Sequence, residues 1–403
     1  MYDLLLKGGA VIDPAQDLRG ALDVAVQDGK IASVAANIPA SEGRRVIHVP
    51  GKTVTAGLID LHTHVFDGVA ANGVHPDVAG VHAGVTTVVD AGSSGCATFS
   101  AFPRHILPKC ETEVIPLLHI CQTGLATNPD IIAESSIDLE STLRVAREHK
   151  GLIKGIKARM VSPALEIFGM EMPRLAKRAA RESGVPLMVH IGDTTKRYDP
   201  NVIRELLPLL EPGDIVTHLF TANPGGVLDA NGKLVPEARE LAARGVWLDT
   251  AHGRMNFGFN VGRRVLDQGL TPHCISTDLT IPGRANTVHS MVEIMTRFLG
   301  LGFTLPQVVT MSTSNPAKAV GVSDRLGTLA VGRQADISVL DVREGRWVVY
   351  DVLGAGLPVT KAVVPFLTVK RGTVFTPDWG PRPWGWEPDR VLPTAPIAGG
   401  CCD

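Results

Sequence analysis

Imidazole and acidic side chains recur at the ends of short apolar runs in this sequence. Five of its 13 histidines stand there, together with one aspartate and one lysine. In chain order these residues are His62 and His64 in "GLIDLHTH", Lys157 in "GLIKGIKAR", His190 in "VPLMVHIGD", His218 in "GDIVTHLF", His252 in "GVWLDTAHG" and Asp278 in "HCISTDL". Neutral imidazole nitrogens and carboxylate oxygens bind zinc and similar divalent ions. A fold that brings these run ends together would therefore build a metal centre.

The spacing of His62 and His64 indicates how the first run presents its side chains. Residues two apart in a strand point to the same face, so both imidazoles would face one way. Such a pair alone is weak evidence for a metal, and a polar core with satisfied histidines is the alternative. Joined to His190, His218 and Asp278, the pair favours a metal site.

A lysine needs a separate argument, because an ammonium group cannot bind a cation. Lys157 stands in its run where His190 stands in the next, whereas Lys154 stands near the start of the same run. Burial and nearby cations lower the pKa of a lysine and free its amine, which can then add carbon dioxide. The carbamate so formed is a carboxylate-like bridge between two metals. The alternatives are an ion pair between Lys157 and an acid, or modification of Lys154 instead.

Alternation of apolar runs with amphipathic segments places these residues in a fold. Eight runs occur when "GVTTVVDAG" and "VIPLLHI" are added, and segments such as "MPRLAKRAARES" carry apolar residues three and four apart. This alternation predicts an α/β fold, a (β/α)8 TIM-type barrel over residues 56–324, whose active site lies at the carboxyl ends of its strands. The rival is a doubly wound open sheet, but no glycine-rich phosphate loop follows the first run to support it.

The two ends of the chain share a sequence pattern that differs from that of the middle. Short β-type runs joined by the tight turns "QDGK" and "KRGT" occupy residues 1–55 and 325–403. Neither end alone can form much of a core, so we expect one small composite β-sandwich domain built from both termini. The Pro-, Gly- and Trp-rich tail after Phe375 is expected to form an irregular strap.

Composition excludes several classes of partner. The 403 residues are 44% hydrophobic and 20% charged, with a formal net charge of -2. An ordered globular protein is therefore expected, with neither a nucleic acid nor a membrane surface as partner. We expect no secretory signal or membrane span, and the scattered cysteines suit a reducing cytoplasm. A cytoplasmic homo-oligomer acting on a small molecule is expected.

Two motifs of the sequence resemble the amidohydrolase superfamily, specifically the two-metal branch that includes dihydroorotases, hydantoinases and isoaspartyl dipeptidase. "GLIDLHTH" is similar to the first-strand signature of that branch, and "GTLAVGRQADISVLD" to the segment that re-enters its β-sandwich. The resemblance implies two divalent metal ions, zinc being the expected one. One ion would be bound by His62, His64 and Asp278 and the other by His190 and His218. Carboxylated Lys157 and a hydroxide that attacks the substrate would bridge them.

Three further motifs, "DAGSSG", "GIKAR" and "DTAHGRMNFGF", resemble a deacetylase-like subgroup of that branch. The resemblance implies hydrolysis of an amide or ester bond in a small acylated acid, with Asp278 as the catalytic group that moves the proton to the leaving group. "VFDG" follows the histidine pair where a dihydroorotase usually carries an arginine, which counts against a pyrimidine ring. The alternatives are a cyclic amidase, a one-metal deaminase that needs no Lys157, and a catalytically silent scaffold.

Arg159 and His252 are candidate substrate-binding residues. Arg159 lies two residues beyond Lys157, and its guanidinium suits a substrate carboxylate, although an ion pair with a neighbouring acid is the alternative. His252 stands at a strand end but is not a metal ligand in this scheme. It would donate a hydrogen bond to the substrate or serve as a structural histidine.

Overall fold

The computed structural model describes residues 1–377, whose strands form two sheets. In chain order the strands are β1 (Tyr2–Asp13), β2 (Leu18–Gln27), β3 (Lys30–Ala35), β4 (Gly43–His48), β5 (Thr53–Ala56), β6 (Leu58–Thr63), β7 (Val85–Gly95), β8 (Glu113–His119), β9 (Ile156–Arg159), β10 (Leu187–His190), β11 (Ile215–Thr217), β12 (Trp247–Leu248), β13 (Ile337–Tyr350), β14 (Gly356–Lys370) and β15 (Thr373–Phe375). The α-helices are α1 (Pro76–Ala79), α2 (Leu139–Glu148), α3 (Ala164–Phe168), α4 (Glu171–Ser183), α5 (Val202–Leu206), α6 (Pro236–Arg239), α7 (Phe259–Asp267), α8 (Ile281–Asn286), α9 (Met291–Gly300), α10 (Leu305–Ser312) and α11 (Ser314–Ala319).

The central sheet contains β6 to β12 in chain order, and every neighbouring pair is parallel. β6, β7 and β10 are buried along their whole length, as expected of parallel strands whose two faces are both covered in a curled sheet. Seven of the eight predicted runs are therefore strands, as expected.

The eighth run, "HCISTDL", does not form a strand. Its residues make single parallel bridges, Cys274 with Asp249 after β12 and Leu279 with Thr63 at the end of β6. The segment thus lies between the last and the first strand of the central sheet. The backbone of Asp278 has a φ of 51°, which an extended strand does not tolerate, so the extended backbone is interrupted at this residue.

The terminal sheet combines both ends of the chain in the order β15-β14-β13-β5-β1-β2-β3, with β4 paired to β1. The predicted turns are confirmed: Gln27 pairs with Lys30 and Lys370 with Thr373, and the two residues inside each turn have positive φ. One apolar core joins the two ends of the chain, with Leu4 and Val54 packing beside Ile337 and Val369. A two-layered sandwich remains a prediction.

Several contacts attach the terminal sheet to the central one. β14 packs on α9, where the Val363 N–H donates to Thr296 Oγ1 at 2.9 Å, and the Leu58 N–H donates to Ser338 Oγ at 3.0 Å. A third contact is an ion pair, in which the Lys370 Nζ lies 3.0 Å from a carboxylate oxygen of Glu113 at the start of β8.

The predicted C-terminal strap lies outside the described residues apart from its first two positions. Within residues 1–377, no helix has the length and apolar character needed to cross a bilayer.

Candidate metal centre

The ends of β6, β10 and β11 bring four histidines together beside Asp278. The Asp278 Oδ1 lies 3.1 Å from His64 Nε2 and 3.5 Å from His62 Nε2. The ring centre of His218 is 5.1 Å from that of His62 and 4.1 Å from that of His190. His62, His218 and Asp278 each offer one ligand atom, and these three atoms lie within 4.8 Å of one another. One cation can span that spacing.

Unusual backbone geometry aims two of these side chains. His218 and Asp278 have φ values of 72° and 51°, in the left-handed region that costs a non-glycine residue about 1 kcal/mol or more. Backbone hydrogen bonds hold both residues in this conformation. The Asp278 N–H donates to the His62 carbonyl at 2.7 Å, and the Thr221 N–H donates to the His218 carbonyl at 2.9 Å. Both residues therefore turn out of the strand direction at the point where the ligands meet.

Lys157, and not Lys154, reaches this cluster. The side chain of Lys157 is fully buried, and its Nζ lies 3.2 Å from His62 Nε2 and 3.5 Å from Met188 Sδ. Burial lowers the pKa of Lys157 to about 7, against the opposing charge of Asp278. Lys154 precedes β9 by two residues and is half-buried, with its N–H donating to the Pro116 carbonyl.

A glycine makes room for Lys157. Gly92 has a φ of +81°, and a Cβ at that position would stand 2.6 Å from Lys157 Cβ. No larger residue fits there without moving the lysine.

The unpaired nitrogens of the cluster suit a divalent cation. Among the described residues, the buried Nε2 atoms of His190 and His218 have no hydrogen-bond partner, an arrangement that costs about 1 to 3 kcal/mol per group unless a ligand satisfies it. The His218 Nδ1 donates to the Ala251 carbonyl at 2.8 Å, which leaves the lone pair on Nε2. The donor set of imidazole nitrogens and a carboxylate therefore fits zinc or a similar ion.

Charge states at the cluster point the same way. Burial lowers the pKa of His62, His190 and His218, and nearby cationic groups add to this for His62 and His190. Burial alone would raise the pKa of Asp278, but its hydrogen bond with His64 and the surrounding imidazoles lower the pKa below the usual range. His62, His190 and His218 thus present neutral imidazoles beside an ionised carboxylate, the forms that bind metals.

One buried acid that the sequence analysis missed holds this arrangement. Asp60 accepts hydrogen bonds from the Thr277 N–H at 3.0 Å and its hydroxyl at 2.6 Å, which fixes the segment just before Asp278. Burial raises the pKa of Asp60 to about 7. Its place inside "GLIDLHTH", two residues before His62, was the available signal.

Arg159 is engaged in an ion pair. Its Nη1 lies 3.3 Å from Asp130 Oδ1, and the other oxygen of Asp130 lies 3.3 Å from His119 Nε2. Arg159 is opposite His190 in the register of β9 and β10, and its side chain is 21% exposed. The structure thus realises the ion-pair alternative, while the carboxylate-binding role remains a prediction. The sequence analysis gave His119 and Asp130 no role, although His119 also ends a strand.

His252 lies in a closed environment. Its ring is fully buried and stacks on Phe257 with ring centres 4.4 Å apart, while its Nδ1 contacts the Gly253 carbonyl at 2.9 Å. This packing is typical of a structural histidine, and contact with a substrate remains a prediction.

The chain is similar to several known proteins over most of its length. The model of the amidohydrolase family matches residues 53–371. A deacetylase of Enterococcus faecalis is 31% identical over 378 residues, which cover 93% of this chain and 99% of that protein. A crystal structure of an adenine deaminase superposes with a TM-score of 0.84 at 31% identity, covering 93% of this chain and 100% of the other. A crystal structure of a dihydroorotase gives 0.81 at 28% identity, covering 93% and 99%.

Proposed function

This chain belongs to the amidohydrolase family, and from that premise we propose that it is a metal-dependent hydrolase that removes an acetyl or similar acyl group from a small acid. One observation carries the proposal: neutral imidazoles with buried, unpaired Nε2 atoms converge on an ionised carboxylate at the ends of parallel strands. The similarity to a protein named deacetylase over nearly its whole length supports the choice of reaction.

For the architecture we propose a (β/α)8 barrel in which the segment Cys274–Leu279 takes the place of the eighth strand. Its bridges to both edges of the central sheet support closure. The cluster then lies at the carboxyl ends of the barrel strands, where active sites of this fold occur. The terminal sheet would form the second domain.

For the metal centre we propose two divalent ions, with zinc as the first candidate. His62, His64 and Asp278 would hold one ion, His190 and His218 the other, and Lys157 would bind both as a carbamate. The buried position of Lys157 and its pKa of about 7 support this, because an appreciable fraction of the amine is then neutral near pH 7. When bound, the ions would lower the pKa of a water molecule and polarise the scissile carbonyl.

The chain's own residues would then handle the proton and the substrate. Asp278 is ionised and its side chain is 15% exposed, so it can accept a proton at its carboxylate and return it to the leaving group. Arg159, the partly exposed cation beside His190, would bind the carboxylate of the acid. Buried walls around His62 and Lys157 exclude bulk water.

A cyclic amidase and a deaminase are the alternative reactions. The similarity to structures named dihydroorotase and adenine deaminase favours keeping both. A deaminase-like site would use one metal and would not need Lys157.

The first experiment measures metal content by elemental analysis after purification with zinc and bicarbonate. We compare the unmodified protein with Lys157→Ala, and use Lys154→Ala as the matched control because it removes a lysine three residues away. The proposal expects nearly two zinc ions per chain in the unmodified protein and the control, and a clear loss in Lys157→Ala. One ion that is unchanged by Lys157→Ala would favour the deaminase-like site, and no metal would favour a scaffold.

A second experiment separates the reactions. N-acetyl amino acids and O-acetyl hydroxy acids are tested beside dihydroorotate, hydantoins and adenine with the zinc-loaded protein. Release of acetate from the acylated acids supports the proposal, whereas turnover confined to the cyclic amides or to adenine would overturn the choice of reaction.

A further inference from the structure

We propose that the hydroxyl of Thr217 is a positioning group that fixes the tautomer of His62, so that the Nε2 lone pair of this ring faces the cation site. The inference rests on the proposed metal centre for its purpose, but the tautomer itself is a property of the metal-free chain. The Thr217 hydroxyl is not a candidate ligand, and it acts through His62.

The Thr217 hydroxyl connects His62 to a buried acid. Thr217 Oγ1 donates to Asp249 Oδ2 at 2.7 Å, and the same oxygen lies 2.9 Å from His62 Nδ1. A hydroxyl has a single proton. Because that proton is used on Asp249, the oxygen can only accept from His62, and Nδ1 must carry the ring proton.

Direct contact between His62 and Asp249 does not replace this link. The His62 Nδ1 and the nearest Asp249 oxygen are 3.9 Å apart, beyond hydrogen-bond distance. Both Asp249 oxygens also accept from the Ser276 hydroxyl, at 2.8 and 2.9 Å, which anchors the carboxylate. The Thr217 hydroxyl is therefore the bridge between a fixed acid and the ring.

His64 is not held in the same way. Its Nδ1 lies 2.9 Å from Ser93 Oγ, but its Nε2 lies 3.1 Å from Asp278 Oδ1. A carboxylate can only accept, so Nε2 donates to Asp278 in the metal-free chain, and the inference is confined to His62.

The consequence appears at the other nitrogen of the His62 ring. With the proton on Nδ1, the Nε2 of His62 carries the lone pair, 3.2 Å from Lys157 Nζ and 3.5 Å from Asp278 Oδ1. The other tautomer would point a proton at the place where the cation binds. Groups that orient metal-binding histidines in this way typically contribute about 10- to 100-fold to metal affinity.

The test compares Thr217→Val, which keeps the shape and removes the hydroxyl, with Thr217→Ser, which restores a hydroxyl. Thr87→Val is the matched control, because Thr87 is a fully buried β7 threonine whose hydroxyl has no hydrogen-bond partner among the described residues. Zinc affinity is measured by chelator competition. We expect Thr217→Val to bind zinc about 10- to 100-fold more weakly, and Thr217→Ser and Thr87→Val to remain close to the unmodified protein.

Imidazole nitrogen NMR on the zinc-free protein supplies a readout that does not depend on the metal. His62 should show the Nδ1–H tautomer in the unmodified protein and in Thr217→Ser, and lose that preference in Thr217→Val. The Nε2–H tautomer in the unmodified protein, or equal zinc loss in the valine and serine variants, would overturn the inference. If the NMR result holds but no variant binds zinc, the proposed metal function has failed and the tautomer assignment stands.

Discussion

Replacing Gly253 by alanine should displace Asp278 and disable the site. Gly253 has a φ of +57°, and a Cβ added to it would stand 2.2 Å from Asp278 Oδ2. The backbone cannot relieve the contact cheaply, because the Gly253 N–H donates to the Thr277 carbonyl at 2.9 Å and the Asp278 N–H donates to His62. The Asp278 side chain must therefore move.

The size of that movement follows from the distances. Ordinary van der Waals contact begins near 3.4 Å, so the carboxylate oxygen must retreat from 2.2 Å to that distance. A misplacement of about 1 Å in a catalytic site can cost about 100-fold in rate. Alanine in the left-handed region adds a stability cost of about 1 to 2 kcal/mol, which does not depend on Asp278.

A second glycine separates these two effects. Gly184 ends α4 with a φ of +68° and has no atom within 4 Å of an added Cβ. Gly184→Ala should lose about the same stability as Gly253→Ala, while keeping its zinc content and turnover. Thermal unfolding, zinc content and hydrolysis of an acetylated acid are measured for both variants. Full zinc binding and turnover in Gly253→Ala, or equal losses in both variants, would refute the reasoning.

Two further predictions concern charges. Burial raises the pKa of Glu113, but Lys370 and Arg325 lower it more strongly, to about 2, so the ionised carboxylate should stabilise the fold by about 3 kcal/mol above pH 4.5. This contribution should disappear as the pH falls through 2. In denaturant unfolding at pH 7, Glu113→Gln should therefore be less stable than the unmodified protein. The difference in stability between the two should shrink as the pH falls toward 2. The exposed pair partner Glu148 is the control, with a cost below about 0.5 kcal/mol for Glu148→Gln, and a Glu113 effect independent of pH would contradict the assignment. Arg159→Met should raise KM for an N-acetyl amino acid about 10- to 100-fold but leave KM for its carboxamide nearly unchanged; equal changes for the two substrates would exclude carboxylate binding.

Local patterns in the sequence were enough to predict most of the architecture. Period-two alternation and buried runs identified seven strands of the central sheet, and the two-residue turns identified hairpins in both terminal segments. These features depend on neighbouring residues, so a single sequence contains them. The family resemblance drawn from "GLIDLHTH" is confirmed by the family model over residues 53–371.

The eighth run shows where such patterns stop. "HCISTDL" has the composition of a strand, yet Asp278 takes a left-handed conformation held by contacts with β6. No pattern within this seven-residue run indicates those contacts, because the partner residues lie more than 200 positions earlier in the chain.

Residue types and strand-end positions were determined by the sequence alone: the histidines, Lys157 and Asp278 could be named as one group before any distance was known. Only the tertiary structure decided which of them touch, that Arg159 pairs with Asp130, and that hydroxyls from two other strands reach His62 and His64. The physical reason is that periodicity determines on which face of its own element a side chain lies. Distances between elements depend instead on how all the side chains of the core pack together.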